Sequence, residues 1–316
     1  MITLADVQAA QERLRPVTKR TPLIYAESIS TAAGHPVYLK AENLQLGGAF
    51  KLRGAYNKIA SLTAEERRRG VVAHSSGNHA IAVAYACKLM GVRATIVIPD
   101  NAVEAKVATT RSLGAEVVRC GTSLNDREET TRGLQQRHGY VLVHPFDDPL
   151  IMAGQGTTGL EIIDALPEVQ AVLSPVGGGG LVSGIAVAVK SRKPDVKVFG
   201  VEPETANDAY RSLHEGHLVT IEHTNTIADG LRSQHLGTLT YEVIKRYVDG
   251  IVLVSDEEIL DTVRLLVAKE KLVVEPSGAV AAAALRLRRA GGISGPAVAV
   301  LSGGNIDPAL LRSLIQ

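Results

Sequence analysis

The stretch from Gly70 to Asp147 reads Gly70-Val71-Val72-Ala73, then Ala94-Thr95-Ile96-Val97-Ile98, then Glu116-Val117-Val118, then Tyr140-Val141-Leu142-Val143, with longer amphipathic segments between these short β-branched runs. The spacing predicts helices through Ala80–Met90, from about Val103 to Leu113 and from about Leu124 to His138. Strands that alternate with helices imply βαβ crossovers and a parallel sheet, because parallel neighbours need a long return connection. The fold class is therefore α/β. Outward from this stretch the same alternation resumes at Pro149. A helix through Thr158–Ala165 leads to strands at 171–176 and 197–201 around a helix over 181–190. The strand Ile251–Val254, a helix over 256–270, an Ala-rich helix near 278–290 and the strand Ala297–Leu301 follow. Upstream, a first helix with Thr3 or Asp6 as cap and Val7, Ala10 and Leu14 on one face precedes a strand at Val37–Lys40 and a helix from about Lys51 to Ser61. Glu65 to Gly70 reads as a charged turn, and Glu202 to Arg232 as loop with short helices. Residues 70–147 are expected to form a small mobile unit inserted into a large one made of 1–69 plus 148–316.

Composition narrows the function classes. The chain has 316 residues, 45% of them hydrophobic, with 34 basic against 33 acidic side chains. A net charge of +1 leaves no electrostatic footprint for nucleic acid, and the absence of Trp removes stacking platforms. Neither a signal peptide nor a membrane-spanning apolar run is read, so a cytoplasmic location without nucleic-acid or membrane partners is expected. Cys87 and Cys120 suggest neither a disulfide framework nor a metal motif.

Four segments carry chemistry. In Gly47-Gly48-Ala49-Phe50-Lys51-Leu52-Arg53-Gly54-Ala55, Arg53 and Lys58 sit where a solvated helix face carries charge. Lys51 follows glycines that let backbone approach a ligand; it is either one more solvated helix-start lysine or a desolvated amine suited to Schiff-base chemistry. Gly177-Gly178-Gly179-Gly180, between a strand and a helix, can turn successive N–H groups toward one anion at a helix N-terminus. The run lacks the spacing of a dinucleotide fingerprint or a P-loop. Ser75-Ser76-Gly77-Asn78-His79 has the same strand–turn–helix placement and is either an ordinary N-cap or a carboxylate-binding turn. Ser302-Gly303-Gly304-Asn305 is a third strand-end glycine turn. Ligands of open α/β sheets bind outside the carboxyl ends of strands, so the three turns can converge on one crevice.

Taken in order, Ala-Phe-Lys-Leu-Arg-Gly-Ala, Ser-Ser-Gly-Asn-His, the four glycines, Glu275-Pro276-Ser277-Gly278-Ala279 and Ser302-Gly303-Gly304-Asn305 resemble the fold-type II pyridoxal-phosphate enzymes of the serine/threonine dehydratase and serine racemase group. The resemblance covers nearly the whole chain. It implies two open parallel-type sheets flanked by helices, as in tryptophan-synthase-β-like enzymes, with pyridoxal 5'-phosphate between the domains. It implies that Lys51 carries the cofactor as a Schiff base and takes the substrate Cα proton. Phe50 packs near the ring, Asn78 bonds the 3′ oxygen, and Gly177, Gly178, Gly179 and Gly180 bind the phosphate. Ser302 faces the pyridine nitrogen and Glu275 lies beside the cofactor. Ser75, Ser76 and His79 lie along the substrate-carboxylate loop. A neutral hydroxyl at the ring nitrogen does not hold it protonated, so the carbanion is less delocalised and β-elimination competes.

The same resemblance implies a homodimer acting on a small amino acid. The expected reaction is α,β-elimination from L-threonine or L-serine to a 2-oxo acid and ammonia. Serine racemisation, with Ser76 as a second acid/base opposite Lys51, is an alternative. Dehydration of 3-hydroxyaspartate or a hydroxyectoine-derived substrate is another, with Arg127 reading an extra carboxylate; Arg127 reads equally as a surface helix residue. Glu202, the Ala206 carbonyl and Asp208 resemble the divalent-cation site of racemase-like members, hard oxygen ligands that suit magnesium or calcium, or else a solvated acidic loop. Family members commonly carry Thr-Gly-Ser before Phe-Lys where this chain has Gly47-Gly48-Ala49, which bears on substrate preference and not on cofactor attachment. The end of the chain soon after Asp307 is read as leaving no room for an appended regulatory domain.

Overall fold

Thr3 caps the first helix of the computed structural model, which describes residues 1–102 and 104–315, and Asp6 reciprocates at the third position to complete a capping box. That helix, α1 (Leu4–Leu14), is followed by β1 (Leu23–Tyr25), α2 (Glu27–Ala33) and β2 (Val37–Lys40). Two 3₁₀ turns, Glu42–Leu44 and Leu46–Gly48, lead into α3 (Lys51–Ala60). The charged turn expected after it is instead the short helix α4 (Ala64–Arg69). Thr63 and Glu66 cap its start and its three arginines sit at the end, each sign matched to the helix dipole.

The alternating stretch folds as β3 (Val71–His74), α5 (Asn78–Met90), β4 (Ala94–Pro99), α6 (Glu104–Ser112), β5 (Glu116–Cys120), α7 (Leu124–His138) and β6 (Val141–Leu142). The expected helix start at Val103 lies outside the described residues. Then come α8 (Pro149–Ala165), β7 (Ala171–Pro175), α9 (Gly180–Arg192), β8 (Lys197–Pro203), α10 (Asp208–Glu215), α11 (Thr238–Tyr247), β9 (Gly250–Val254), α12 (Asp256–Leu265), α13 (Pro276–Arg286), β10 (Ala297–Val300) and α14 (Pro308–Ile315). The helix expected over 256–270 ends at Leu265 and widens into a π turn. Helices α2, α11 and α14 escaped the sequence reading.

The protein is α/β, with two mostly parallel sheets flanked by helices. One sheet has the order β1-β2-β10-β7-β8-β9, with only β1 antiparallel to its neighbour; the other, β5-β4-β3-β6, is wholly parallel. Both contain a point where the strand order reverses, between β7 and β10 and between β3 and β6. Crevices open at the carboxyl ends of such points. Helix α8 is the buried spine between layers: a Cβ on Gly154 would stand 2.6 Å from the Arg53 carbonyl, and one on Gly184 of α9 would stand 2.2 Å from the Met152 carbonyl. Small residues there let α3, α8 and α9 cross closely, which fixes the start of α3 against the sheets. Among the described residues no helix is long and apolar enough to cross a membrane.

Candidate active site

A cavity of about 1240 Å³ lies at the carboxyl ends of both reversal points, walled by the turns after β3, β6, β7 and β10. Of the residues singled out from sequence, Phe50, Lys51, Ser75, Ser76, Asn78, His79, Arg127, the four glycines from Gly177 to Gly180, Glu275 and Ser302 all line it. Glu202, Ala206 and Asp208 lie outside it.

Lys51 reaches the cavity because the chain leaving β2 makes two left-handed steps, at Gly47 (φ 76°) and Gly48 (φ 75°). Such steps suit glycine, and the Asn305 amide packs where a Cβ on Gly48 would stand, 2.3 Å away. Ala49 then bridges Gly303 in antiparallel fashion, and Phe50 N–H donates to the Ser302 carbonyl at 3.0 Å. These contacts tie the first turn of α3 to the turn after β10. Lys51 Nζ donates to the Pro145 carbonyl at 2.7 Å and lies 5.1 Å from the Phe50 ring centroid. Desolvation lowers its amine to about 8.

Arg53 does not lie on a solvated face. It is wholly buried, with Nη1 2.7 Å from Glu161 and Nη2 2.8 Å from Glu42, while Lys40 Nζ lies 2.6 Å from the other Glu161 oxygen. The third residue of α3 points into the protein, away from the cavity, because α8 covers that face. Lys58 is not on a solvated face either: its side chain is mostly covered and pairs with Asp148 at 2.6 Å.

In the glycine run, Gly179 is left-handed (φ 89°) and no side chain caps α9. A Cβ on Gly178 would fall 2.2 Å from the Phe146 ring, so the loop holds its shape only with the ring laid against bare backbone. The positive end of α9 thus meets the cavity at the glycine loop.

Opposite this loop, the Asn78 amide donates to Glu275 and accepts from Asn305 Nδ2 at 2.9 Å. Burial and then the Asp229 charge push the Glu275 carboxyl up to about 7, while Lys106 and the Asn78 bond pull the other way. Ser302 is buried, its hydroxyl donating a long 3.4 Å bond to the Ser277 carbonyl.

At the start of α5, Ser75 Oγ accepts from Gly77 N–H at 3.2 Å, and Ser76 is half-buried with no protein partner for its hydroxyl among the described residues. His79 is buried and its Nε2–H donates to the Val143 carbonyl at 2.8 Å, anchoring α5 to the end of β6. Burial holds that imidazole far below the usual histidine range. Arg127 is half-buried, with Nε donating to the Ser123 carbonyl at 3.3 Å and no ion pair among the described residues.

Two imidazoles in the wall were missed. His74 and His144 stand edge to face with centroids 6.0 Å apart. Desolvation lowers each to about 4, helped by the charge of His144 and Arg127 at His74 and of Lys51 at His144. The backbone N–H of Asp147 donates to His144 Nδ1 at 2.7 Å, which places the ring proton on Nε2. The sequence carried one signal for them: each directly follows a β-branched run, 71–73 for His74 and 140–143 for His144.

Away from the cavity, Glu202 and Asp208 are both fully buried. Glu202 accepts from the N–H groups of Ala209 at 3.0 Å and Tyr210 at 2.8 Å, but both Asp208 oxygens lack a hydrogen-bond partner among the described residues. Burial raises the Asp208 carboxyl to about 7; burial and the Asp208 charge raise Glu202 well above the carboxylate range. Among the described residues no set of three or more His, Cys, Asp or Glu side chains converges, so a cation there would need backbone carbonyls as well.

The family model described as pyridoxal-phosphate dependent enzyme matches residues 14–303. The chain is 48% identical over 317 residues to an L-threonine ammonia-lyase of Thermotoga maritima, covering 100% of this chain and 79% of that protein. It is 41% identical to an L-threo-3-hydroxyaspartate ammonia-lyase of Saccharomyces cerevisiae, covering 99% and 96%. Among solved structures, maize serine racemase superposes with a TM-score of 0.96 at 38% identity, over 99% of this chain and 96% of that one.

Proposed function

Because the chain belongs to the pyridoxal-phosphate dependent enzyme family, we propose that it is an ammonia-lyase that converts L-threonine or L-serine into a 2-oxo acid and ammonia. The observation that carries this reading is the Lys51 amine, desolvated and facing the same cavity as the Gly177–Gly180 loop. The residues present fit pyridoxal 5'-phosphate: a bare glycine loop at a helix N-terminus suits the phosphate, a weakly basic lysine suits the aldehyde, and an uncharged serine suits the ring nitrogen.

When bound, the cofactor supplies an electron sink for negative charge at the substrate Cα. Lys51 would hold it covalently, and its Nζ would move the substrate Cα proton, a role that a desolvated, weakly basic amine suits. Gly177, Gly178, Gly179 and Gly180 would hold the phosphate, Phe50 would pack the ring, and Asn78, braced by Glu275 and Asn305, would orient the ring oxygen. Ser302 would offer the ring nitrogen a neutral hydroxyl and no charge. Ser75 and Ser76 offer hydroxyls and N–H groups to the substrate carboxylate at the positive end of α5. His79 is already engaged by Val143 and keeps that helix start in place.

Residues 70–147 form a small unit that closes on the large unit of 1–69 plus 148–316 and excludes water from the cavity. The active form is a cytoplasmic homodimer. Glu202, Asp208 and the Ala206 carbonyl bind magnesium or calcium, a reading supported by the two orphaned Asp208 oxygens.

Serine racemisation is a second reading, favoured by the unpartnered Ser76 hydroxyl in the cavity wall. Reduction with borohydride and peptide mapping checks the cofactor: label anywhere but Lys51 refutes the assignment. A panel of threonine, serine and 3-hydroxyaspartate, assayed for oxo acid with a chiral assay of serine, separates lyase from racemase. Absence of oxo acid from every substrate refutes the lyase.

A further inference from the structure

We infer that Lys106 is a positioning residue: by pairing with Asp229 across the cavity it locks α6 against the 3₁₀ turn Asp229–Leu231 and, through that turn, steadies Ser277, Glu275 and Ser302. Lys106 Nζ lies 2.5 Å from Asp229 Oδ2. The pair joins α6, which follows β4 of the four-stranded sheet, to the turn between β8 and β9 of the six-stranded sheet. Only 17% of the Lys106 side chain is exposed, so its stem is packed and its reach is set by the wall it comes from.

Behind Asp229 the contacts run inward. Ser277 Oγ accepts from Gly230 N–H at 2.8 Å and faces Asp229 Oδ1 at 3.5 Å, while the Ser277 carbonyl accepts from the Ser302 hydroxyl at 3.4 Å. Glu275 begins the same segment. The groups that face it are Asp229 from the turn, Lys106 from α6 and the uncharged Asn78 amide from α5. Asp229 raises the proton affinity of Glu275 and Lys106 lowers it. When α6 withdraws, Asp229 stands unneutralised beside a buried carboxyl and Glu275 keeps its proton to higher pH. Closing the cavity and ionising Glu275 are therefore linked, each favouring the other.

The inference rests on the cofactor site proposed above, and the test keeps the two apart. Holoenzyme carrying isotope-labelled glutamate is titrated by NMR, with the Glu275 carboxyl assigned by its loss in Glu275→Gln. Lys106→Met should move its midpoint above that of the wild type, Asp229→Asn below it, and the double variant should return close to it. KM should rise about fivefold in either single variant, the size of a half-exposed ion pair, with no further rise in the double. Lys106→Arg should restore both readouts. Asp229→Asn breaks the pair without altering α6, so a folding defect in Lys106→Met leaves the test intact. Unmoved Glu275 midpoints in both single variants, or KM effects that multiply in the double, overturn the inference. A wild-type protein that titrates as expected yet releases no product overturns the lyase reading alone.

Discussion

Replacing Arg53 by Met removes one guanidinium from the middle of a buried cluster of two cations and two anions. Arg53 donates to both oxygens of Glu42 at 2.8 Å each and to those of Glu161 at 2.7 and 2.9 Å, with a further bond to Thr157 Oγ1 at 3.1 Å. In the variant Glu42 keeps only the Thr21 hydroxyl, and Lys40 is left as the sole cation for two buried carboxylates. Breaking a buried pair by removing one partner costs about 3–5 kcal/mol. A whole domain is stable by only about 5–15 kcal/mol, and at an unfolding entropy of about 2.1 cal/mol/K per residue the 316-residue variant should melt roughly 5–8 °C lower. Burial by itself pushes the Glu42 carboxyl up, but the charge and hydrogen bonds of Arg53, with Lys40 and Thr21, outweigh it and hold the group below the usual carboxylate range. In the wild type that stabilisation is present above the unfolded carboxylate pKa and is lost as pH falls through the depressed folded value. Without Arg53, burial dominates and Glu42 must be ionised at a cost. The deficit should therefore be largest near neutral pH and shrink toward about pH 4. Urea unfolding of wild type, Arg53→Met and Arg53→Met/Glu42→Gln across pH measures it, and the second change should recover part of the loss. A single variant within about 1 kcal/mol of wild type at neutral pH, or a deficit that does not change with pH, would refute the reasoning.

Gly178→Ala places a methyl 2.2 Å from the Phe146 ring; the resulting strain of about 1–3 kcal/mol should weaken cofactor binding roughly tenfold in an absorbance titration, with Phe146→Ala restoring part of it. The folded Lys51 amine, near 8, lies below its unfolded value of 10.5. Burying its charge therefore costs stability below both values, and that cost disappears as pH rises from 8 to 10.5. Cofactor-free Lys51→Met should accordingly be more stable than wild type by up to about 3 kcal/mol at neutral pH, with the advantage gone near pH 10.5 in urea titrations. Magnesium or calcium should raise the melting temperature of the wild type and leave Asp208→Asn unmoved; an equal rise in both would remove the cation from the 202–208 loop.

Much of the site was legible because its parts are local. A glycine run between strand and helix, a Ser-Ser-Gly-Asn-His turn and a lysine behind two glycines each describe a backbone shape that few residues permit, so their chemistry could be read before their positions were known. The alternation of β-branched runs with amphipathic segments likewise dictates parallel pairing. Arg53 was misread for the complementary reason. Which face of α3 meets solvent depends on α8, about a hundred residues away, whose glycines allow the close crossing that buries the guanidinium. His74, His144 and the Lys106–Asp229 pair belong to the same class, since their meaning comes from partners that only the two sheets' placement brings within reach. The backbone shapes at the strand ends and the class of fold follow from residue order alone, because turn and strand preferences act over a few residues. Which charges are buried, which amine is desolvated and which walls face each other follow from packing in three dimensions, because burial and electrostatics are sums over neighbours distant in the chain.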